Sequence, residues 1–262
     1  MRITSLGQAV FAVTMIALGV LGFINQSYAA VWQPVPAAVP SHQVLGYLCA
    51  FLSLACGIGL LLQRAAPLAS PLLLAYLLIW SLLVSLPGIF TAHAAFGSWY
   101  SLAEPATMVA AAWVLYATLA PDWDRRSLSF ATGATGVRIG RVIFALALIY
   151  FGAGHFVFLK PTADDVPAWL PAHVAWAYFT GFAFIAAGLA ILVGVCARLA
   201  ATLAALQIGI FLLLVWIPIV AAPAPKTAFQ WSETVISAAL TAAACVVADS
   251  YRTIPWLAIN KR

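Results

Sequence analysis

Long apolar runs separated by short polar breaks make up most of this chain. The runs fall at roughly 6–24, 43–62, 68–90, 100–119, 138–159, 173–195, 198–221 and 231–248. Each is close to or beyond the roughly 18–20 apolar residues that carry a helix across a bilayer. The pattern predicts an all-α polytopic membrane protein with eight transmembrane helices. One break differs from the rest: residues 121–137 begin with Pro121, Asp122, Asp124, Arg125 and Arg126 and continue with Gly and Thr, and they read as a linker. Ser27-Tyr28-Ala29 resembles a signal-peptidase site. The run before it, however, is longer than a signal-peptide core and has a counterpart deep in the chain, so it reads as a retained helix.

Charge adds sidedness. With eight crossings, the amino terminus and every second connection share one side. That side collects Arg2, Arg64, Arg125, Arg126, Arg138, Arg141, Arg198, Arg252, Lys261 and Arg262, against only Lys160 and Lys226 opposite. Lys and Arg accumulate in cytoplasmic loops, so both termini are expected in the cytoplasm. The net charge of +5 is then topological, and no nucleic-acid partner is expected. A composition 65% hydrophobic and 7% charged makes the lipid bilayer the expected environment, with the bacterial cytoplasmic (inner) membrane as the expected location. Cys49 and Cys56 lie about 10 Å apart by helical rise, too far for a disulfide. All four cysteines read as small buried hydrophobes.

The chain also repeats itself. Val35-Pro36-Ala37-Ala38-Val39-Pro40-Ser41-His42 returns as Val166-Pro167-Ala168-Trp169-Leu170-Pro171-Ala172-His173. At the same offset Tyr47 meets Tyr178, Gly57 meets Gly188 and Pro87 meets Pro218. Gly7, Phe11, Gly19 and Phe23 meet Gly140, Phe144, Gly152 and Phe156 at an offset two residues larger, and Glu104 meets Glu233. Drift confined to loops suits two copies of one unit. Four helices return the chain to its starting side, so both copies insert in parallel. The expected organisation is a first four-helix unit over 1–120, a cytoplasmic linker over 121–137 and a second unit over 138–262.

These residues carry a family resemblance. Gly152-Ala-Gly-His-Phe156, Val166-Pro-Ala-Trp-Leu-Pro171, Thr180-Gly181, Gly188-Leu189 and Trp216-Ile-Pro218 resemble the DoxX-like family of four-helix membrane proteins, here in tandem. That family includes the membrane subunit of thiosulfate:quinone oxidoreductase. The match is best over 138–250 and weaker over 6–118. The usual acidic residue after the Thr-Gly pair is absent, with Phe184 near its place. The resemblance implies a membrane subunit associated with redox chemistry, with quinone as the candidate cofactor or ligand and an extracytoplasmic or membrane redox subunit as partner.

The polar census points the same way. His42, His155, His173, Glu104 and Glu233, together with Lys160, Asp164 and Asp165, all fall at the side opposite the arginines, as does His93. His155 sits inside an apolar helix, and its counterpart in the first unit is Gly22. His155, Glu233 and His173 are therefore the candidate proton-exchanging and orienting groups. Lys160, Asp164, Asp165, Trp169, Trp231, Glu104 and His42 are candidate contacts to a ligand or partner. For Glu104 the simpler reading is a capping box, Ser101-Leu-Ala-Glu104, opening the fourth helix. Trp32, Trp99, Tyr100, Trp169, Trp176 and Trp231 crowd this rim, either as an interfacial belt or as the wall of an apolar pocket. No metal-ligand spacing is present, and the histidines all fall at one end of the bundle, whereas a b-type haem needs two facing axial histidines. The expectation is quinone or a similar lipophile held near the outer leaflet; a small-molecule transporter or an assembly scaffold is the alternative.

Overall fold

In the computed structural model the described residues are 5–26, 28, 42–85, 96–223 and 225–259. They are helical almost throughout and contain eight helices long and apolar enough to cross a membrane. α1 is Leu6–Asn25, α2 His42–Leu61, α3 Ala66–Trp80, α4 Phe96–Leu119, α5 Gly133–Val157, α6 His173–Val193, α7 Ala197–Phe211 and α8 Ala228–Asp249. Two helices carry a π turn: Ser81–Ser85 extends α3, and Leu212–Trp216 extends α7, which then runs on through Ile217–Ala221. Each π turn is followed two residues later by a proline, Pro87 or Pro218. Proline supplies no N–H to the turn below it, so the backbone there re-pairs.

Successive helices pack side by side. α4 also meets α5 and α8, and α8 meets α1. Glycines set the tightest crossings. Between α1 and α2, a Cβ at Gly19 would meet the Ala50 carbonyl oxygen at 2.7 Å, and one at Gly57 would meet the Ala12 oxygen at 2.7 Å. Between α5 and α6, Gly152 stands in the same way against the Gly181 oxygen at 2.5 Å, and Gly188 against the Ala145 oxygen at 2.6 Å. Such approach brings backbones into van der Waals contact, which holds helices together where lipid removes the hydrophobic drive. The core they enclose is made of Phe11, Met15, Leu73, Met108, Phe144, Leu148 and Val247, with alanines between.

Three boundaries differ from the apolar pattern. α4 begins at Phe96, so Ser101 and Glu104 lie within the helix and do not form an N-terminal capping box. The cause is tertiary: the Phe96 ring packs on Tyr100, Tyr150 and Phe158 and carries the helix past the expected cap. The stretch expected to be a linker contains a helix, Asp122–Ser127, and α5 starts at Gly133 rather than near 138. Arg125 ties that short helix to the end of α4 through the carbonyls of Ala120 and Thr118. α8 begins at Ala228 behind a complete Thr227–Gln230 capping box, which sets Glu233 in its second turn.

One end of the bundle is tied by arginines. Arg141 donates to the hydroxyl and the carbonyl of Ser250 and lies 3.7 Å over the Tyr251 ring. Arg198 donates to the Ile254 carbonyl and lies 4.1 Å over the Trp256 ring. The Cys196 N–H donates to the Ala258 carbonyl, 2.8 Å away. All four cysteines are free, with Cys49 and Cys56 buried.

Candidate functional site

At the opposite end, α5, α6, α7 and α8 surround a cavity of about 650 Å³, which Tyr100 and Glu104 of α4 also reach. α6 contributes one helical stripe of Trp176, Ala177, Thr180, Ala183 and Phe184. α7 contributes another, Leu203, Leu206, Gln207, Ile210, Phe211 and Leu214. Both follow the i, i+3, i+4, i+7 spacing of a single helix face. The walls are therefore aliphatic and aromatic, and the polar groups that reach them are few.

His155 is the most confined of these groups, at 7% exposure. Its ring stacks on Phe211 (centroids 5.9 Å apart, 25° between planes) and meets Phe184 edge-on at 5.4 Å. Its Nδ1 lies 2.7 Å from the Phe151 carbonyl oxygen. Because a carbonyl only accepts, Nδ1 carries the hydrogen, and Nε2 of the neutral ring keeps its lone pair. Gly154 leaves room for Tyr100, whose ring occupies the space a Cβ there would take.

Glu104 and Glu233 reach the cavity from α4 and α8. Asp165 lines the same cavity. Asp165 stands just after the short helix Leu159–Asp164, which with Val166, Pro167 and Leu170 roofs the cavity. Partial burial under this roof raises the carboxyl above its ordinary range, and the neighbouring Asp164 charge raises it further. Gln207 spans the cavity wall, donating through Nε2 to the Thr180 carbonyl at 3.0 Å.

Four candidates from the sequence thus meet here: His155, Glu233, Glu104 and Asp165. The others stand apart. Lys160 and Asp164 pair with each other at 2.6 Å on the exposed surface. Trp169 and Trp231 are exposed at 70% and 43% and do not line the cavity. His173 opens α6 as expected but is only half-buried and does not line it either. The side chain of His42, together with Trp32, His93 and the 35–41 stretch, lies outside the described residues. Gln207 was not among the candidates, although a lone amide in the most apolar of the eight runs was a usable signal. Among the described residues no three His, Cys, Asp or Glu side chains gather as a metal site.

The fold and the cavity define the class: an all-helical integral membrane protein with a largely apolar chamber at one end of its bundle. No family model, curated protein or solved structure matches the chain.

Proposed function

We propose that this chain is a DoxX-like membrane subunit that holds quinone, or a lipophile of similar shape, near the outer leaflet in support of an extracytoplasmic redox partner. The observation that carries this reading is the chamber itself, with aromatic walls and a histidine and two glutamates reaching it. A quinone head is a flat apolar ring with two oxygens that take up protons on reduction. The walls suit the ring. His155, with its lone pair on Nε2, and the carboxyls of Glu104 and Glu233 suit the protons. In this reading the electrons come from the partner.

The same reading includes two parallel copies of one four-helix unit with both termini in the cytoplasm. Three observations support it. The Gly19 and Gly57 contacts between α1 and α2 correspond to those of Gly152 and Gly188 between α5 and α6. The two π turns fall at the repeat offset of 131, Ser81 against Leu212 and Ser85 against Trp216. Shifting every helix by four places turns the α4–α5 contact into α8–α1 and leaves α4–α8 unchanged, as a twofold would. The arginine bias supports a chamber on the outer side.

The test is titration of the protein in lipid nanodiscs with a ten-carbon-tailed benzoquinone, read by quenching of Trp176 and Trp216, both of which line the chamber. Saturable binding is expected, about tenfold weaker in His155→Ala and in Glu233→Gln. Absence of saturable binding in wild-type protein refutes the reading.

A further inference from the structure

We infer that the chamber opens sideways into the bilayer between α6 and α7, and that its ligand enters from the lipid head first and leaves an alkyl or isoprenoid tail in that opening. The inference rests on the reading of the chamber as a lipophile site and names where the tail of that lipophile lies.

The argument begins with side chains that are wall and outer surface at once. Leu203 and Leu214 of α7 line the chamber, yet they are 52% and 37% exposed, and Leu206 and Ile210 form the ridge between the chamber and a second groove against α1 and α8. Across from them, Trp176 and Phe179 of α6 line it while 41% and 63% exposed. A residue that closes a cavity is covered on its outer side only if something packs there. On two helices of a membrane-spanning bundle, what packs there is hydrocarbon. These residues therefore mark a mouth, and the mouth faces lipid.

Its shape favours a tail. The lining positions on α7 run from Leu203 to Trp216, which is roughly 20 Å at 1.5 Å per residue. That is about two-thirds of a hydrocarbon core about 30 Å thick, so the mouth is a long slit along the helices and not a pore at their ends. The π turn Leu212–Trp216 lies at its upper end, where the wider backbone turn brings Leu214, Val215 and Trp216 in succession to the chamber. One hydrogen bond crosses the slit, from Gln207 to the Thr180 carbonyl. The water-facing end, by contrast, is roofed by Thr162, Asp165, Val166, Pro167 and Leu170. A small soluble ligand would gain nothing from this slit. A molecule with a polar head and a long tail uses both parts: the head reaches His155 and the glutamates, and the tail replaces lipid against the leucines.

The experiment uses two photoreactive benzoquinones in nanodisc-embedded full-length protein. One carries a diazirine on the head and the other at the end of a ten-carbon tail. Head adducts near His155 with tail adducts in 176–184 and 203–214 are the expected result. Head adducts near His155 with tail adducts in 162–170 overturn the lateral slit while leaving the function above intact. No adduct displaced by unlabelled quinone overturns both. Ala183→Trp, which narrows the slit, gives a second measure. The tailed quinone should bind about tenfold less tightly and the tail-less head within about twofold of wild type. An equal change for both, in protein that unfolds as wild type does, overturns the slit.

Discussion

His155 and Phe151 are joined one helical turn apart, the imidazole Nδ1–H donating to the carbonyl oxygen at 2.7 Å. This bond fixes both the tilt of the ring between Phe184 and Phe211 and the position of its hydrogen. Nitrogen-15 NMR of histidine-labelled protein should show the neutral Nδ1–H tautomer; a dominant Nε2–H signal would contradict the assignment. His155→Phe keeps an aromatic ring in the same slot and removes the lone pair. Quinone affinity should fall about tenfold, while unfolding stability stays within about 1.5 kcal/mol, the net worth of one hydrogen bond.

The glycine crossings give a paired prediction. A methyl group at Gly19 or at Gly152 would press on a backbone oxygen of the facing helix, which has no rotamer with which to yield. Gly19→Ala and Gly152→Ala should each destabilise by about 1–3 kcal/mol in detergent unfolding titrations. The two losses should be similar if the units are copies. Gly97→Ala is the control, because its nearest neighbour, Phe158 Cζ, lies at ordinary contact distance, 3.9 Å.

The eight helices were legible in the sequence because bilayer thickness is a length requirement that any apolar run declares. Where a contact made far along the chain decides the matter, the pattern was silent. Ser101 and Glu104 have the spacing of a capping box, but Phe96 finds Tyr150 and Phe158 in space and the helix starts at Phe96, ahead of that box. That shift changes Glu104 from a helix cap into a group inside the bundle that reaches the chamber. The site was half legible. His155, Glu233 and Asp165 were visible as charges or imidazole in apolar surroundings. Their convergence was not, since it depends on α8 and α4 both packing beside α5. Lys160 and Asp164 are rare charges in this sequence, and they satisfy each other on the surface.

Arg141 anchors the segment after α8 through Ser250 and Tyr251. The fork matters here: one guanidinium holds a hydroxyl, a carbonyl and a ring face, which an ammonium cannot reproduce. Arg141→Ala should cost about 1–3 kcal/mol and, by loosening the segment, speed trypsin cleavage at the exposed Arg252. Arg141→Lys should fall between wild type and Arg141→Ala. Unchanged cleavage at Arg252 in Arg141→Ala would show that the segment is held by other contacts.

Asp165 ties the roof of the chamber to pH. Partial burial and the adjacent Asp164 raise its carboxyl above the ordinary value of 3.8, and Glu233 and Tyr100 line the same cavity. An acid whose folded value is raised binds more protons folded than unfolded, so its contribution to stability is greatest at low pH. That contribution declines as pH rises from the ordinary value through the raised one. Above the raised value the partly desolvated carboxylate is a net cost. Asp165→Asn removes the titration, so the variant should melt higher than wild type near neutral pH and lose that advantage as pH falls towards 4. Lys160 partly offsets the charge of Asp164 through their 2.6 Å pair. Lys160→Ala should therefore raise Asp165 further and widen the difference between wild type and the Asn variant. Melting curves that run parallel across this range, in both backgrounds, would show that the roof leaves Asp165 fully solvated.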